Sequence, residues 1–138
     1  MPARTVILSN CPPIIDGCYE KKGKNRPDGC ATFSRLGTFT LRRVQRLDYH
    51  DGQENRESDS GHIALLLFLA HAGRLLGVAN THLRWDHPGT PAAEQVGYLQ
   101  AVELLRVCQS WTPPCDAWLI CGDFNRTPDS ASADFARE

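Results

Sequence analysis

A chain of 138 residues has room for one domain with a modest core and not for two. Its 41% hydrophobic and 22% charged residues fit a globular fold and exclude a disordered one, and a net charge of -1 does not by itself mark a nucleic-acid binder. No apolar run is long enough to cross a bilayer, and the segment Met1 to Leu8 lacks a signal-peptide core before Ser9 and Asn10, so the expectation is an intracellular, cytoplasmic protein.

Thr5 to Leu8 reads as a short strand ended by Cys11-Pro12-Pro13, and Cys18 to Glu20 as a second extended piece. Lys21 to Pro27 is a basic loop closed by Pro27-Asp28-Gly29. Cys30 to Arg35 and Thr38 to Leu47 read as strands joined by a turn at Leu36-Gly37, which suggests a β-hairpin. Eight of the fifteen basic residues fall between positions 20 and 46, opposed only by Glu20 and Asp28. Such a stretch is either a phosphate-facing surface or a solvated face. Gln53 to Gly61 is polar and without periodicity, the pattern of an exposed loop.

Ile63 to His71 and Leu75 to His82 are apolar runs around a tight turn at Ala72-Gly73-Arg74, expected to form two central antiparallel strands buried on both faces. A helical hairpin competes for Ala64 to Ala70, but Gly73, Gly77, Val78 and Thr81 favour strands. Thr90-Pro91, with Glu94 behind it, is a helix start. Val96, Leu99, Val102, Leu105 and Cys108, with Ala101 and Leu104 on the adjoining row, give one amphipathic helix near 90–110 that ends at Trp111 to Pro114. Ala117 to Cys121 is then a buried strand. A helical crossover makes it parallel to the strand ending at His82 if the two are neighbours. The fold class is α/β. The six cysteines show no CxxC pair and no zinc-like spacing, so buried reduced thiols are favoured over a disulfide framework and over a thiol-based metal protein.

Two strand endings carry chemistry. After Gly122, Asp123 and Asn125 sit two apart, so in extended backbone a carboxylate and an amide face the same side while Phe124 faces the core. A carboxylate can hold a hard cation or a water, and an amide can donate to phosphate oxygens; a polar strand-to-loop turn is the plain alternative. His82, at the end of Asn80-Thr81-His82-Leu83, is either a general acid or phosphoryl hydrogen-bond donor, or a structural histidine capping a strand.

ANTHLRWDHP (79–88), ICGDFN (120–125) and PDGCATFSR (27–35), with a helix between the first two, resemble the exonuclease-endonuclease-phosphatase superfamily. They are most similar to its CCR4-type branch of deadenylases, nocturnin, angel proteins and 2'-phosphodiesterase. The resemblance runs from about Asp16 to the end of the chain. It implies a partial two-sheet α/β sandwich of the DNase I-like kind, mostly antiparallel, and a metal-dependent phosphodiesterase using magnesium, with manganese as the alternative ion. By the same resemblance Asp123 binds the metal and orients the attacking water, Asn125 contacts the phosphate, and His82 contacts the scissile region. Trp85, Asp86 and Pro88 help form the nucleotide pocket, with His87 a one-residue insertion, and Arg35 closes the third motif as a further substrate-binding candidate. The implied partner is RNA or a nucleotide.

The family's metal-binding glutamate, on an early strand in a segment such as LQE, is not recognisable here, and Glu20 belongs to a region the family places after that strand. The closing histidine motif also lacks a counterpart in the thirteen residues beyond Asn125. The expectation is therefore a single partial domain over 1–138, with uncovered sheet edges and weak activity at best. The competing readings are a non-catalytic interaction module that kept the fold, and a phosphatase or DNA-repair endonuclease of the same superfamily.

Overall fold

The computed structural model describes residues 4–5, 15–54 and 59–126. Among the described residues seven strands form two sheets. One has the order β1-β2-β3, made of Arg4–Thr5, Ile15–Lys21 and Gly29–Arg35, all antiparallel. The other has the order β4-β5-β6-β7, made of Thr40–Asp48, Ile63–His71, Arg74–His82 and Ala117–Asp123. Its first three strands are antiparallel, and β7 joins β6 in parallel after a crossover through α1, Val96–Ser110, as expected from the sequence.

β5 explains the layering. Every residue from Ile63 to Leu69 is buried because the strand faces apolar layers on both sides. Ala64, Leu66 and Phe68 pack with Ala101, Leu104 and Cys108 of α1, whereas Ile63, Leu65, Leu67 and Leu69 pack against Cys18 and Cys30 of the smaller sheet. The five described cysteines are unpaired thiols, and burial raises their pKa values, that of Cys108 to about 11.

Several sequence expectations need correction. Cys30 to Arg35 and Thr38 to Leu47 do not form a hairpin, since they belong to different sheets. The turn after Arg35, with Gly37 at φ +78°, carries the chain from one sheet to the other, where Val44 and Leu47 gain an apolar partner strand in β5. The expected exposed loop 53–61 lies partly outside the described residues, but its end is not exposed. Gly61 is buried against Gly23, and Ser60 donates its backbone N–H to the buried Asp51 carboxylate. Of the expected strand Thr5 to Leu8, residues 6–8 lie outside the described residues, as does Cys11-Pro12-Pro13.

Thr90-Pro91 does not start α1: Ala92–Glu94 form a single 3-10 turn and the α-helix begins at Val96. The buried row is Gly97, Gln100, Ala101, Leu104 and Cys108, not the three-spaced row through Val102 and Leu105, which is half-buried. Successive steps of three drift off one face of a 3.6-residue helix, so the mixed three-and-four row is the one that stays on the sheet.

Candidate active site

Register brings the two strand endings together. In the parallel β6–β7 ladder, His82 is the direct partner of Asp123 and Thr81 that of Gly122. Gly122 has φ +135°, and a β-carbon there would collide with the Thr81 carbonyl, with Thr81 C and N at 2.8 and 2.9 Å. Only glycine lets the strands approach this closely. Beyond it, Leu83 N–H donates to Asp123 O at 2.9 Å, so the two endings remain joined by backbone.

The side chains then form a row. Asp123 is 63% exposed, with Oδ1 accepting from Asn125 N–H at 2.8 Å and Oδ2 3.9 Å from His82 Nε2. His82 Nδ1 lies 3.5 Å from Oδ2 of Asp28, which the other sheet contributes from the residue just before β3. Lys22 Nζ donates to the same Asp28 oxygen at 2.7 Å, and that hydrogen bond holds the Asp28 carboxyl below the usual carboxylate range. Asn125, at φ +52°, donates through Nδ2 to Leu83 O at 2.8 Å. The buried His62 ring stands edge-on to His82 with centroids 6.2 Å apart. Burial, followed by the charges of Lys22 and Arg26, lowers the His62 pKa to about 4, and its Nδ1 is 2.7 Å from Ser60 Oγ.

The other sequence candidates divide. Trp85, 58% exposed, lies three residues past His82 with its ring edge-on to His87 at 6.1 Å, and Pro88 is exposed in the following turn. Asp86 is otherwise engaged: its buried carboxylate accepts from Val96 and Gly97 N–H at 3.1 and 2.8 Å, capping α1, and pairs with Arg126 at 2.5 Å. Arg35 is not gathered with the others, because β3 runs away from Asp28 and places it about 20 Å along the strand. The basic stretch does not form one free cationic face. Lys22 pairs with Asp28, Lys24 with Asp59 and Arg46 with Glu20 and Asp48, while Arg43 lies over the Trp111 ring. Glu20 is thereby tied to Arg46.

Reading the sequence missed Asp28, Lys22 and His62. Asp28 was visible as the acidic residue opening the PDGCATFSR stretch, but a Pro-Asp-Gly triplet reads first as a turn. Nothing in the sequence alone marks Lys22 or His62.

Among the described residues of this row, the most exposed carboxylate open to a hard cation is that of Asp123. Among the described residues no three His, Cys, Asp or Glu side chains come together to hold a metal. That chemistry fits a magnesium-like ion taken by one carboxylate with water and substrate phosphate, and does not fit a closed all-protein cage.

The sequence profile of the Endonuclease/Exonuclease/phosphatase family matches residues 4–138. The chain belongs to this family. Among curated relatives, the CCR4-Not complex 3'-5'-exoribonuclease subunit Ccr4 of Candida albicans is 33% identical over 129 aligned residues, covering 75% of this chain and 16% of that protein. The Debaryomyces hansenii counterpart is 32% identical with 75% and 15% coverage. Among solved structures, the human nocturnin catalytic domain with bound sulfate superposes with a TM-score of 0.70 at 23% identity, covering 88% of this chain and 46% of that one. ANGEL2, a 2',3'-cyclic phosphatase, gives 0.67 at 25%, with 89% and 35% coverage. The sequence similarity is to Ccr4 subunits and the fold similarity to nocturnin and ANGEL2, and the chain spans less than half the length of each of these relatives. No helix among the described residues is long and apolar enough to cross a membrane.

Proposed function

We propose that this chain is part of a metal-dependent phosphoric diester hydrolase, a nuclease that cleaves RNA or a nucleotide by in-line attack of water. The observation that carries the reading is the pairing of His82 with Asp123 at the joint end of β6 and β7, with Asp28 and Asn125 on either side. Asp123 holds and orients the attacking water through the lone pairs that Asn125 N–H leaves free. His82 presents Nε2 beside Asp123, where, with the ring protonated at both nitrogens in the substrate complex, it donates to a phosphoryl oxygen. Asn125 uses one amide hydrogen on Leu83 O and keeps the second for phosphate. Trp85 and Pro88, exposed just past His82, face the nucleotide. A bound magnesium or manganese ion supplies charge neutralisation on the equatorial oxygens and lowers the pKa of the attacking water. The RNA substrate follows the exoribonuclease relatives. With one carboxylate for the cation, the 138-residue chain by itself is weakly active.

The test compares oligo(A) cleavage by the longest product of the gene, by the 138-residue chain, and by each carrying Asp123→Ala. Metal-dependent cleavage by the long product that falls on the order of a hundredfold or more in the variant supports the reading. Equal rates for wild type and variant sink it. One observation favours a second reading, a non-catalytic interaction module: the described residues hold no three-ligand cluster. Absence of any phosphodiester cleavage by the long product decides for the module.

A further inference from the structure

Lys22 presents a physical puzzle. Its side chain is 1% exposed, although a buried ammonium costs several kcal/mol unless it is well paired, and a lysine serving only as a phosphate ligand would stay open to solvent. Its contacts supply the reason for burial. Nζ donates to Asp28 Oδ2 at 2.7 Å, and this is the same oxygen that lies 3.5 Å from His82 Nδ1. The base of the lysine is itself fixed. Lys22 N–H donates to Asp28 O at 3.0 Å, closing the β2–β3 loop, and the next residue, Gly23, donates to Gly61 O at 2.9 Å. Arg26 Nε adds a bond to Ser60 O at 2.9 Å, so the loop is pinned to the segment that leads into His62 and β5. A half-exposed carboxylate on a loop is free to rotate. A buried cation held from both sides selects the rotamer that turns Oδ2 toward the imidazole.

We propose that Lys22 is a positioning residue: it acts through Asp28 to fix His82 with Nδ1–H toward Asp28 and Nε2 toward Asp123 and the scissile phosphate. The inference rests on the proposed role of His82 at the phosphate. His62, buried and edge-on to the same ring with centroids 6.2 Å apart, packs beside the imidazole that Asp28 faces. The 3.5 Å separation is longer than a formed hydrogen bond, and it shortens when a phosphate engages Nε2.

The test is nuclear magnetic resonance of the 138-residue chain at one pH where His82 is neutral, for wild type, Lys22→Met and Asp28→Asn. In the wild type the two His82 ring nitrogens give well-separated signals, Nδ1 protonated and Nε2 not, and the Lys22 ammonium is visible because its exchange with water is slowed. In both variants the two ring signals move toward each other as the tautomers mix, and in Asp28→Asn the slow Lys22 ammonium signal is lost. Unchanged His82 signals in Lys22→Met, or a wild type already mixed between tautomers, would overturn the proposal. If Lys22→Met does not fold, Asp28→Asn decides: loss of the ammonium signal with mixing at His82 supports the chain of contacts, and persistence of either wild-type signal refutes it. No turnover is involved in these readouts. Failure to find hydrolysis would therefore sink the function and leave the positioning to be settled by the spectra.

Discussion

Gly122→Ala isolates the contact that brings the site together. The added β-carbon would collide with the Thr81 carbonyl, with Thr81 C and N at 2.8 and 2.9 Å, and these are backbone atoms that cannot swing aside as a side chain would. Two costs follow. Holding a non-glycine residue near φ +135° costs about 1–3 kcal/mol. Prising β6 from β7 to relieve the collision costs about 1–3 kcal/mol more, as overpacking in a filled interior does. Gly73 separates the two terms, because it also has positive φ, +76°, but a β-carbon there meets nothing within 4 Å. Gly73→Ala should therefore show only the conformational cost, and Gly122→Ala should exceed it by about 1–3 kcal/mol. A domain of this size holds on the order of 7–20 kcal/mol, so both variants should remain folded enough to measure. Urea unfolding gives the stability difference, and amide exchange along β6 and β7 shows whether loosening centres on Thr81 to Asp123. Equal destabilisation by the two substitutions, or exchange spread evenly over the sheet, would refute the argument.

Two further outcomes test particular side chains. His62 has a folded-state pKa of about 4 against its ordinary 6.5, so between these values the unfolded chain binds the proton more strongly and stability falls as pH drops from about 6.5 to about 4, by at most about 3 kcal/mol. His62→Gln should flatten that dependence in urea midpoints taken at several pH values; an unaltered slope would show that other groups cause it. Asp86→Ala removes the α1 cap and strips a mostly buried Arg126 of its carboxylate, costing about 3 kcal/mol or more in thermal or urea unfolding, and a loss below about 0.5 kcal/mol would show that neither contact matters.

Legibility followed the range over which each signal acts. The strands β5 and β6 and their turn were readable because an unbroken apolar run flanking Ala72-Gly73 has few other solutions, and the parallel β7 followed from the helical crossover. The β3–β4 hairpin was misread because a turn at Leu36-Gly37 looks alike whether the next strand pairs back or crosses to another sheet. What decides it is the partner strand β5, still twenty-odd residues away. The helix start was misread for a related reason. Thr90-Pro91 is a good local signal, but Asp86, ten residues before Val96, reaches it through a loop. In the site, the local pairs Asp123 with Asn125 and His82 with Trp85 were legible. Asp28, Lys22 and His62 were not, since their relation to His82 exists only once the two sheets are packed.

That last point bears on how the site works. The end of β6 is tied to β3 of the facing sheet and to β5 beside it by polar bonds: Asn80 Nδ2 to Ala31 O at 2.7 Å across to β3, and the buried Thr81 Oγ1 to Ile63 O at 3.1 Å with Tyr49 Oη 2.9 Å from the same hydroxyl. His82 is the next residue, where these ties end and solvent begins. Its backbone position is thus set by the four-stranded sheet, which also places Asp123, while its ring is oriented by Asp28 and Lys22 at the tip of the smaller sheet. A change that loosens the seam between the sheets, without unfolding either, will misalign His82 against Asp123 first. Asn80→Ala belongs to this class: the His82 ring-nitrogen signals should shift while the free energy of urea unfolding falls by no more than about 1.5 kcal/mol, and unshifted signals would refute the argument.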